Sequence, residues 1–289
     1  MSRAHVATAA ELSTLRDLEF IARTTVEGLR HGLHRSPFHG YSAEFSQYRH
    51  YRPGDDLRYV DWKRFARTDR FYTRQFRETT NLSALFVMDV SESMDYGGKF
   101  SLAQRLAAIL GTLVLDQGDA AGLLAVGEHV RFLPPRSGHR HLTLFLREIS
   151  ELAPAGTVSF AASLARTGVM LTRRGLVVAV SDYYDAEVLV ALRRLARIGH
   201  EIVVAQTLDA DELTLPDLGA VEFVEAESGR TVVVQSETAR PAHAERVRTW
   251  LSGLEADVRR EGFDYLRVAT GDDLERAMRR FLLSRGGSA

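Results

Sequence analysis

The stretch from Leu82 to Met94, LSALFVMDVSESM, decides the fold. Its first part is a continuous apolar run that ends on Asp89, which is typical of a strand buried on both faces of a sheet. Hydroxyl side chains then follow at every second position, at Ser91 and Ser93. Because side chains alternate along an extended segment, we expect the carboxylate and both hydroxyls on one side of the loop. A buried strand alone does not require that pattern.

Similar apolar segments recur downstream and alternate with segments of helical periodicity. The segment GLVVAVSD is a second apolar run, and it ends on Asp182, whereas KFSLAQRLAAILGTLVLDQGD and AEVLVALRRLARIGH have the spacing of helices. This alternation predicts an α/β protein with a doubly wound, mostly parallel sheet flanked by helices. Ligands of open α/β sheets collect at the carboxyl ends of the strands, so Asp89 and Asp182 mark the candidate site.

The chain is long enough for two domains, and its composition changes near residue 80. Residues 1–80 predict an amphipathic helix over Glu11–His31, followed by a small β-rich subdomain that is dense in aromatic residues and arginine. Residues 81–289 predict the α/β domain, which ends with a hairpin around Ser228-Gly229 and further helices.

The composition excludes several classes of protein. The chain has no cysteine, which rules out disulfides and thiolate metal sites. Its net charge is −1, and its first 80 residues carry 14 Arg and Lys against 10 Asp and Glu, too balanced for a nucleic-acid-binding surface. The run AAILGTLVL is far shorter than the roughly 20 residues of a membrane span. We therefore expect a cytoplasmic protein that binds no nucleic acid and has no membrane span.

Three interpretations of the Asp-Ser-Ser pattern are open from these residues alone. Asp89 could cap the following helix while Ser91 and Ser93 form local turn hydrogen bonds. A phosphatase of the haloacid dehalogenase type also ends its first strand on Asp, but it needs a second carboxylate two residues later. Ser91 occupies that place and cannot act as a general acid or base at neutral pH. Finally, a carboxylate with two hydroxyls is an all-oxygen set of the kind that Mg²⁺ prefers.

The order of these residues resembles the metal-ion-dependent adhesion site of von Willebrand factor type A domains. DVSES matches the Asp-x-Ser-x-Ser signature, PAGTVSFAASL supplies Thr157, and VVAVSDYYD supplies Asp182. The resemblance implies a von Willebrand factor A fold in which Ser91, Ser93 and Thr157 bind Mg²⁺ directly, with Mn²⁺ or Ca²⁺ as alternative ions. Asp89 and Asp182 would mostly hold metal-bound waters, and an acidic residue of a partner protein would complete the coordination.

The segment before the buried strand, HRSPFHGYSAEFSQYRHYRPGDDLRYVDWKRFARTDRFYTRQF, resembles the signature of the family known as domain of unknown function 58. Within it we expect bidentate pairs between arginine and carboxylate side chains. Such pairs would form either a structural network or a docking surface. The residues expected to form this structural or docking signature are Arg49, Asp55, Asp56, Arg58, Asp61, Trp62 and Arg67.

The family resemblance implies a partner protein and not a reaction. Similar proteins are commonly encoded beside MoxR-type AAA+ ATPases, so the implied role is an adaptor or co-chaperone that couples such an ATPase to the assembly or remodelling of a client protein. The sequence has no Gly-Lys-Ser/Thr nucleotide-binding loop and no nucleophile beside a base, so we expect no enzymatic activity. The alternative is a metal-dependent hydrolase that uses the same strand-end Asp.

Overall fold

The computed structural model describes residues 9–30, 43–52, 60–78, 82–168, 170–171, 174–216, 219–224 and 231–286. These residues divide into two compact units. The larger unit contains the N-terminal helix and the chain from Ser83 onward, and the smaller unit lies between Phe38 and Leu82.

The secondary structure alternates between helices and strands, as the sequence predicts. The elements in chain order are α1 (Ala9–Arg30), β1 (Ala43–His50), α2 (Trp62–Thr68), β2 (Tyr72–Glu78), β3 (Ser83–Asp89), α3 (Lys99–Asp116), β4 (Ala120–Val126), β5 (Arg131–Arg136), α4 (His139–Ser150), α5 (Phe160–Thr167), β6 (Leu176–Ser181), α6 (Glu187–Arg197), β7 (Glu201–Leu208), α7 (Ala210–Leu213), β8 (Ala220–Val224), β9 (Thr231–Gln235), α8 (Ser236–Arg260), β10 (Asp264–Ala269) and α9 (Leu274–Gly286). A 3-10 helix at Glu92–Asp95 lies between β3 and α3.

A six-stranded sheet forms the centre of the larger unit, with the strand order β10-β7-β6-β3-β4-β5. All neighbouring strands in it pair parallel except β4 and β5, which pair antiparallel. This order confirms the prediction of an α/β fold with a mostly parallel sheet.

Helices cover both faces of this sheet, as the contacts of neighbouring residues in β3 demonstrate. The ring of Phe86 packs edge-on against Phe145 of α4, with ring centroids 5.3 Å apart. Its neighbour Leu85 belongs to a buried cluster on the other face, which includes Leu164 of α5 and Leu192 of α6. Successive residues of a strand point to opposite faces, so a strand buried on both must be apolar at every position. The doubly wound arrangement is therefore confirmed.

The course of the chain around β3 produces a switch point in the strand order of the sheet. After β3 the chain continues through α3 to the neighbouring strand β4, and it later returns through α4 and α5 to β6 on the opposite side of β3. The strand order thus reverses between β3 and β6. Open α/β sheets bind ligands at the carboxyl ends of the strands at such a point.

The N-terminal helix belongs to the larger unit, whereas the change of composition near residue 80 predicts that it belongs with the subdomain of residues 1–80. Its side chains Leu18, Ala22, Val26 and Leu29 are buried, and α1 packs against α3, α4 and α9. Helical periodicity predicted the buried stripe correctly. It could not identify the surface that covers the stripe, because a stripe of aliphatic side chains carries no information about its partner.

In its described residues, the smaller unit contains the antiparallel pair β1–β2 with α2 between the two strands in the chain. The predicted strand YTRQF is part of β2. Helix α2 was not predicted, because none of its residues is buried and it therefore has no apolar face to detect. Its neighbourhood is aromatic: the rings of Phe65 and Phe71 are stacked with their centroids 4.1 Å apart.

The C-terminal part follows the predicted order of elements. Strands β8 and β9 pair antiparallel as the expected hairpin, while residues 228–229 of its turn lie outside the described residues. The predicted last strand and last helix are β10 and α9. Within the described ranges, none of the helices combines the length and the hydrophobicity that crossing a membrane requires.

Candidate functional site

The carboxylate of Asp89 lies at the carboxyl end of β3 and is only 5% exposed. Its Oδ1 accepts hydrogen bonds from the backbone N–H of Ser91 at 3.1 Å and from the Ser91 hydroxyl at 2.7 Å. The hydroxyl oxygens of Ser91 and Ser93 are 3.0 Å apart. The structure therefore brings together the three residues of the predicted Asp-Ser-Ser set.

The loop that carries Thr157 lies beside the loop that carries the two serines. The backbone N–H of Glu92 donates to the carbonyl of Gly156 at 2.9 Å. Gly156 has a φ of +78°, and a Cβ at this position would lie 2.9 Å from the Cβ of Glu128, so the close approach of this loop to the turn between β4 and β5 requires glycine. Thr157 itself is exposed. It reaches the predicted neighbourhood with its side chain open to solvent.

Asp182 follows the adjacent strand β6 and is engaged by a lysine. Its Oδ2 accepts a hydrogen bond from Lys99 Nζ at 2.9 Å, and its Oδ1 accepts one from the backbone N–H of Tyr184 at 3.3 Å. Lys99 Nζ also donates to Glu212 Oε1 at 2.7 Å. The predicted Asp182 is therefore at the expected strand end, but it also forms an ion pair with Lys99 that no local sequence pattern indicates.

The two strand-end carboxylates differ in their electrostatic partners. Burial raises the pKa of Asp89, although hydrogen bonds from Ser91 and Ser181 oppose the rise. Burial acts to lower the pKa of Lys99, but the negative charges of Asp182 and Glu212 outweigh it, so that this pKa is raised. Asp89 is thus a buried carboxylate held by neutral donors, whereas Asp182 is neutralised by an ammonium group.

The hydroxyl oxygens of Ser91 and Ser93, beside Asp89, have a spacing that suits two ligands of a small divalent cation. Ligands in adjacent positions of an octahedral Mg²⁺ site, each about 2.1 Å from the ion, are about 3.0 Å apart. The separation of the Ser91 and Ser93 hydroxyl oxygens is 3.0 Å. Within the described part of the chain, no group of three or more His, Asp or Glu is arranged to hold a metal. A metal at this position would accordingly depend on hydroxyl ligands.

Three exposed apolar side chains follow the candidate ligands closely in the sequence. Tyr96, Val158 and Tyr184 are 45%, 40% and 51% exposed. The ring of Tyr184 stacks on that of Trp250 with the centroids 4.7 Å apart, and Lys99 Nζ lies 5.6 Å from the Tyr184 centroid. Large apolar side chains are thus presented to solvent on the loops that hold the polar site.

The signature residues of the smaller unit have mainly structural contacts where they are described. Asp61 is the N-cap of α2, and its carboxylate accepts hydrogen bonds from the backbone N–H of Arg64 at 2.9 Å and from the hydroxyl of Tyr48 at 3.0 Å. Trp62 is 55% exposed, which leaves it accessible for docking. Arg49 lies on β1, Arg67 is exposed in the last turn of α2, and Asp55, Asp56 and Arg58 lie outside the described residues.

Three residues of the site were not predicted, namely Ser181, Lys99 and Glu212. The hydroxyl of Ser181 donates to Asp89 Oδ2 at 2.7 Å. For Lys99 and Glu212, the sequence itself contains a feature that singles each of them out. Lys99 is one of only two lysines in a chain with 37 basic residues, and the spacing from Asp209 to Glu212 is that of a capping box, which the structure contains.

Residues 47–250 match the model of the family described as "Protein of unknown function DUF58". The chain is 32% identical over 285 residues to the uncharacterized protein Rv1480 of Mycobacterium tuberculosis, and the alignment covers 94% of this chain and 89% of that relative. Among solved structures it is similar to the conserved hypothetical protein BatB from Bacteroides thetaiotaomicron, with a TM-score of 0.46, 16% identity, and coverage of 71% of this chain and 99% of that one. It is also similar to the SpRpn10 VWA domain, with a TM-score of 0.35, 15% identity, and coverage of 44% and 75%.

Proposed function

Because this chain belongs to the DUF58 family, we propose that it is a cytoplasmic, Mg²⁺-dependent protein-interaction adaptor that works with a MoxR-type AAA+ ATPase in the assembly or remodelling of a client protein complex. The observation that carries the proposal is the environment of Asp89. Among the residues that the structure describes, every hydrogen-bond donor to this buried carboxylate is neutral, and it lies beside two hydroxyl oxygens at the spacing of adjacent octahedral ligands. A buried carboxylate without a cation is costly, so a cation at this position would stabilise the site.

The proposed metal ligands are those of a metal-ion-dependent adhesion site. Ser91, Ser93 and Thr157 would direct their hydroxyl oxygens to the ion, while Asp89 and Asp182 would hold waters bound to it. When bound, Mg²⁺ supplies an open coordination position that attracts a carboxylate. Mn²⁺, which also takes six oxygen ligands, would serve as a substitute.

In this proposal, the partner binds the ion through an acidic side chain, and apolar residues of this chain surround that contact. Tyr96, Val158 and Tyr184 are exposed on the same loops as the proposed ligands. Aromatic residues are enriched at protein interfaces, where they exclude water from the polar contacts that they surround. They would therefore strengthen the contact between the ion and a carboxylate of the ATPase or of the client.

We do not extend the proposal to hydrolysis. A phosphatase of the haloacid dehalogenase type requires a carboxylic acid two residues after the strand-end Asp, and Ser91 stands there with its hydroxyl hydrogen-bonded to Asp89. A hydroxyl group does not exchange protons at neutral pH as a general acid or base must. We therefore propose that any ATP hydrolysis in the complex belongs to the partner.

Calorimetric titration of the full chain with MgCl₂ tests the metal site. We expect saturable binding by the wild type and by Asp95→Asn, since Asp95 is an exposed carboxylate of the same loop. Asp89→Asn, which keeps the size of the side chain, is expected to abolish binding. Flat traces for all three proteins would overturn the metal site.

Affinity capture of a MoxR-type ATPase on the immobilised chain tests the partner. We expect capture in Mg²⁺, and loss of capture in excess chelator and with Asp89→Asn. Capture that survives both conditions would exclude a metal bridge. Absence of capture in Mg²⁺, together with intact Mg²⁺ binding, would overturn the ATPase as the partner and leave the metal site standing.

A further inference from the structure

Lys99 is a buried cation at the edge of the candidate metal site. It is the first residue of α3, and its side chain is 2% exposed. Its Nζ lies 2.9 Å from Asp182 Oδ2 and 2.7 Å from Glu212 Oε1, and these carboxylates are themselves only 7% and 13% exposed. A buried ammonium group is tolerated only when it is paired and hydrogen-bonded. Two carboxylates from distant parts of the chain meet that requirement here.

The position of Glu212 is fixed by local structure. Its second oxygen, Oε2, accepts a hydrogen bond from the backbone N–H of Asp209 at 2.6 Å, in the capping box of α7. Asp209 in turn accepts hydrogen bonds from the backbone N–H of Gly98 at 3.0 Å and from the Thr270 hydroxyl at 2.9 Å. The turn directly before Lys99 is therefore attached to the segment that carries Glu212, so the lysine and its carboxylate partner are held in place together.

Lys99 also determines the direction in which Asp182 faces. The ammonium group holds Oδ2, and the backbone N–H of Tyr184 holds Oδ1 at 3.3 Å. In the described part of the chain, the hydrogen-bond partners of the Asp89 carboxylate are Ser91 and Ser181, and neither is a cation. The two carboxylates of the site consequently differ in their availability to a metal ion.

We propose that Lys99 is a positioning residue that keeps Asp182 from direct contact with the cation and thereby weakens the affinity of the site for the cation. This inference rests on the metal site proposed above. A divalent cation that enters the site meets the full charge of Asp89 but only the neutralised charge of Asp182. The protein then offsets less of the positive charge of the ion, so the ion attracts the carboxylate of a partner more strongly.

The sign of the effect distinguishes this role from a merely structural one. If Lys99 only supported the fold, its removal would loosen Asp182 and leave Mg²⁺ binding unchanged or weaker. If its charge opposes the cation, replacement by a neutral side chain exposes Asp182 and strengthens binding. Unlike charges separated by a few ångströms in a partly buried site interact strongly enough to change a dissociation constant by about tenfold.

The experiment compares Mg²⁺ titrations of the full-length wild type, Lys99→Met and Glu212→Gln by calorimetry. We expect Lys99→Met to bind about tenfold more tightly than the wild type. Glu212→Gln removes the charge that balances Lys99 on its other side, so it is expected to bind about threefold more weakly. Lys63→Met is the matched control, because Lys63 is the only other lysine and is exposed. It should bind as the wild type does.

Thermal unfolding of the same proteins gives an independent readout. In chelator, Lys99→Met should unfold at a lower temperature than the wild type, because Asp182 and Glu212 are left buried and unpaired. Saturating Mg²⁺ should raise its midpoint more than that of the wild type, as tighter binding to the folded state requires. Should Lys99→Met fail to fold, Lys99→Gln takes its place, because its neutral amide can still donate a hydrogen bond to Asp182, and it too is expected to bind Mg²⁺ more tightly than the wild type.

The outcomes distinguish the role of Lys99 from the existence of the metal site. Equal or weaker Mg²⁺ binding by Lys99→Met, with binding abolished by Asp89→Asn, would overturn the role of Lys99 and leave the metal site standing. Equal or tighter binding by Glu212→Gln would do the same. No binding by the wild type would overturn the metal site and the role of Lys99 together.

Discussion

The hydroxyl of Ser181 donates a hydrogen bond to Asp89 Oδ2 at 2.7 Å and so joins the carboxyl ends of the adjacent strands β6 and β3. Both residues are buried, at 2% and 5% exposure. Together with Ser91, which holds the other carboxylate oxygen, Ser181 fixes the orientation of the Asp89 side chain. The candidate site is therefore built across two strands of the sheet and not within one loop.

Replacement of Ser181 by alanine is expected to destabilise the protein by about 1–3 kcal/mol, because it leaves a buried carboxylate oxygen without its donor. Chemical denaturation of the metal-free protein measures the change. Ser252→Ala, on the exposed side of α8, is the matched control and should stay within about 0.5 kcal/mol of the wild type. A cost at Ser181 no larger than that at Ser252 would contradict the proposed role of the hydrogen bond.

The two lysines of the chain are expected to react very differently with acetic anhydride. Lys63 is exposed, whereas Lys99 is buried and held between Asp182 and Glu212. Because only the neutral amine reacts, we expect native Lys99 to be acetylated at least about tenfold more slowly than Lys63. Peptide mass spectrometry reports both rates, and in urea the two should converge. Equal rates in the native protein would show that the ion pairs do not form.

Substitution of Gly97 by alanine, at the edge of the candidate site, is expected to lower the stability of the protein. Gly97 has a φ of +57°, and a Cβ at this position would overlap Asp209 Oδ2. Gly118 is the matched control, because its φ of +85° carries the same backbone cost but a Cβ there would meet nothing within 4 Å. We expect Gly97→Ala to lower the free energy of unfolding by at least about 1 kcal/mol more than Gly118→Ala does. Equal losses would show that Asp209 moves aside without cost.

The stability of the fold should fall below neutral pH in part because of His200. Its Nδ1 accepts a hydrogen bond from the backbone N–H of Gly175 at 3.3 Å. Burial lowers the pKa of His200 below its ordinary value of 6.5, because the charged ring would lose its hydration. The unfolded chain therefore binds a proton here more readily than the folded one. The stabilisation from the neutral ring is fully present above pH 6.5 and is lost as the pH falls through and below that value.

Denaturation curves measured at several pH values between about 7.5 and about 5 give the free energy of unfolding as a function of pH and test this dependence. His200→Gln, which carries no titratable group, should show a smaller loss of stability over the range than the wild type. His139→Gln is the control, because His139 is exposed at the start of α4. If His200→Gln and the wild type lose the same stability, His200 does not contribute to the acid sensitivity.

The ends of β3 and β6 could be predicted from the sequence because their signal is local. A buried strand of a parallel sheet must be apolar at nearly every position, so the first acid after it marks the carboxyl end. Asp89 and Asp182 were identified in this way. The serines followed from their spacing on the loop, and the structure places Ser91 against Asp89 and Ser93 beside Ser91.

The ion pairs of Lys99 could not be predicted in the same way. The lysine precedes Asp182 by 83 residues and Glu212 by 113 residues. Such contacts depend on how the sheet is ordered, and no local pattern records that order. The assignment of α1 to the smaller unit was wrong for a similar reason. The periodicity of Leu18, Ala22 and Val26 predicts a buried helix face, but it does not identify the surface that packs against that face.

A crystal of the full chain soaked in MnCl₂ tests the central claim, that Asp89 and its neighbours form a metal site, most directly. Mn²⁺ takes the same oxygen ligands as Mg²⁺ and is visible by its anomalous scattering. The proposal predicts a single strong peak about 2.1 Å from the hydroxyl oxygens of Ser91, Ser93 and Thr157, and no peak in crystals of Asp89→Asn. Its absence from wild-type crystals that have been soaked to saturation, or a peak bound instead at Glu212 and Asp209, would contradict the account.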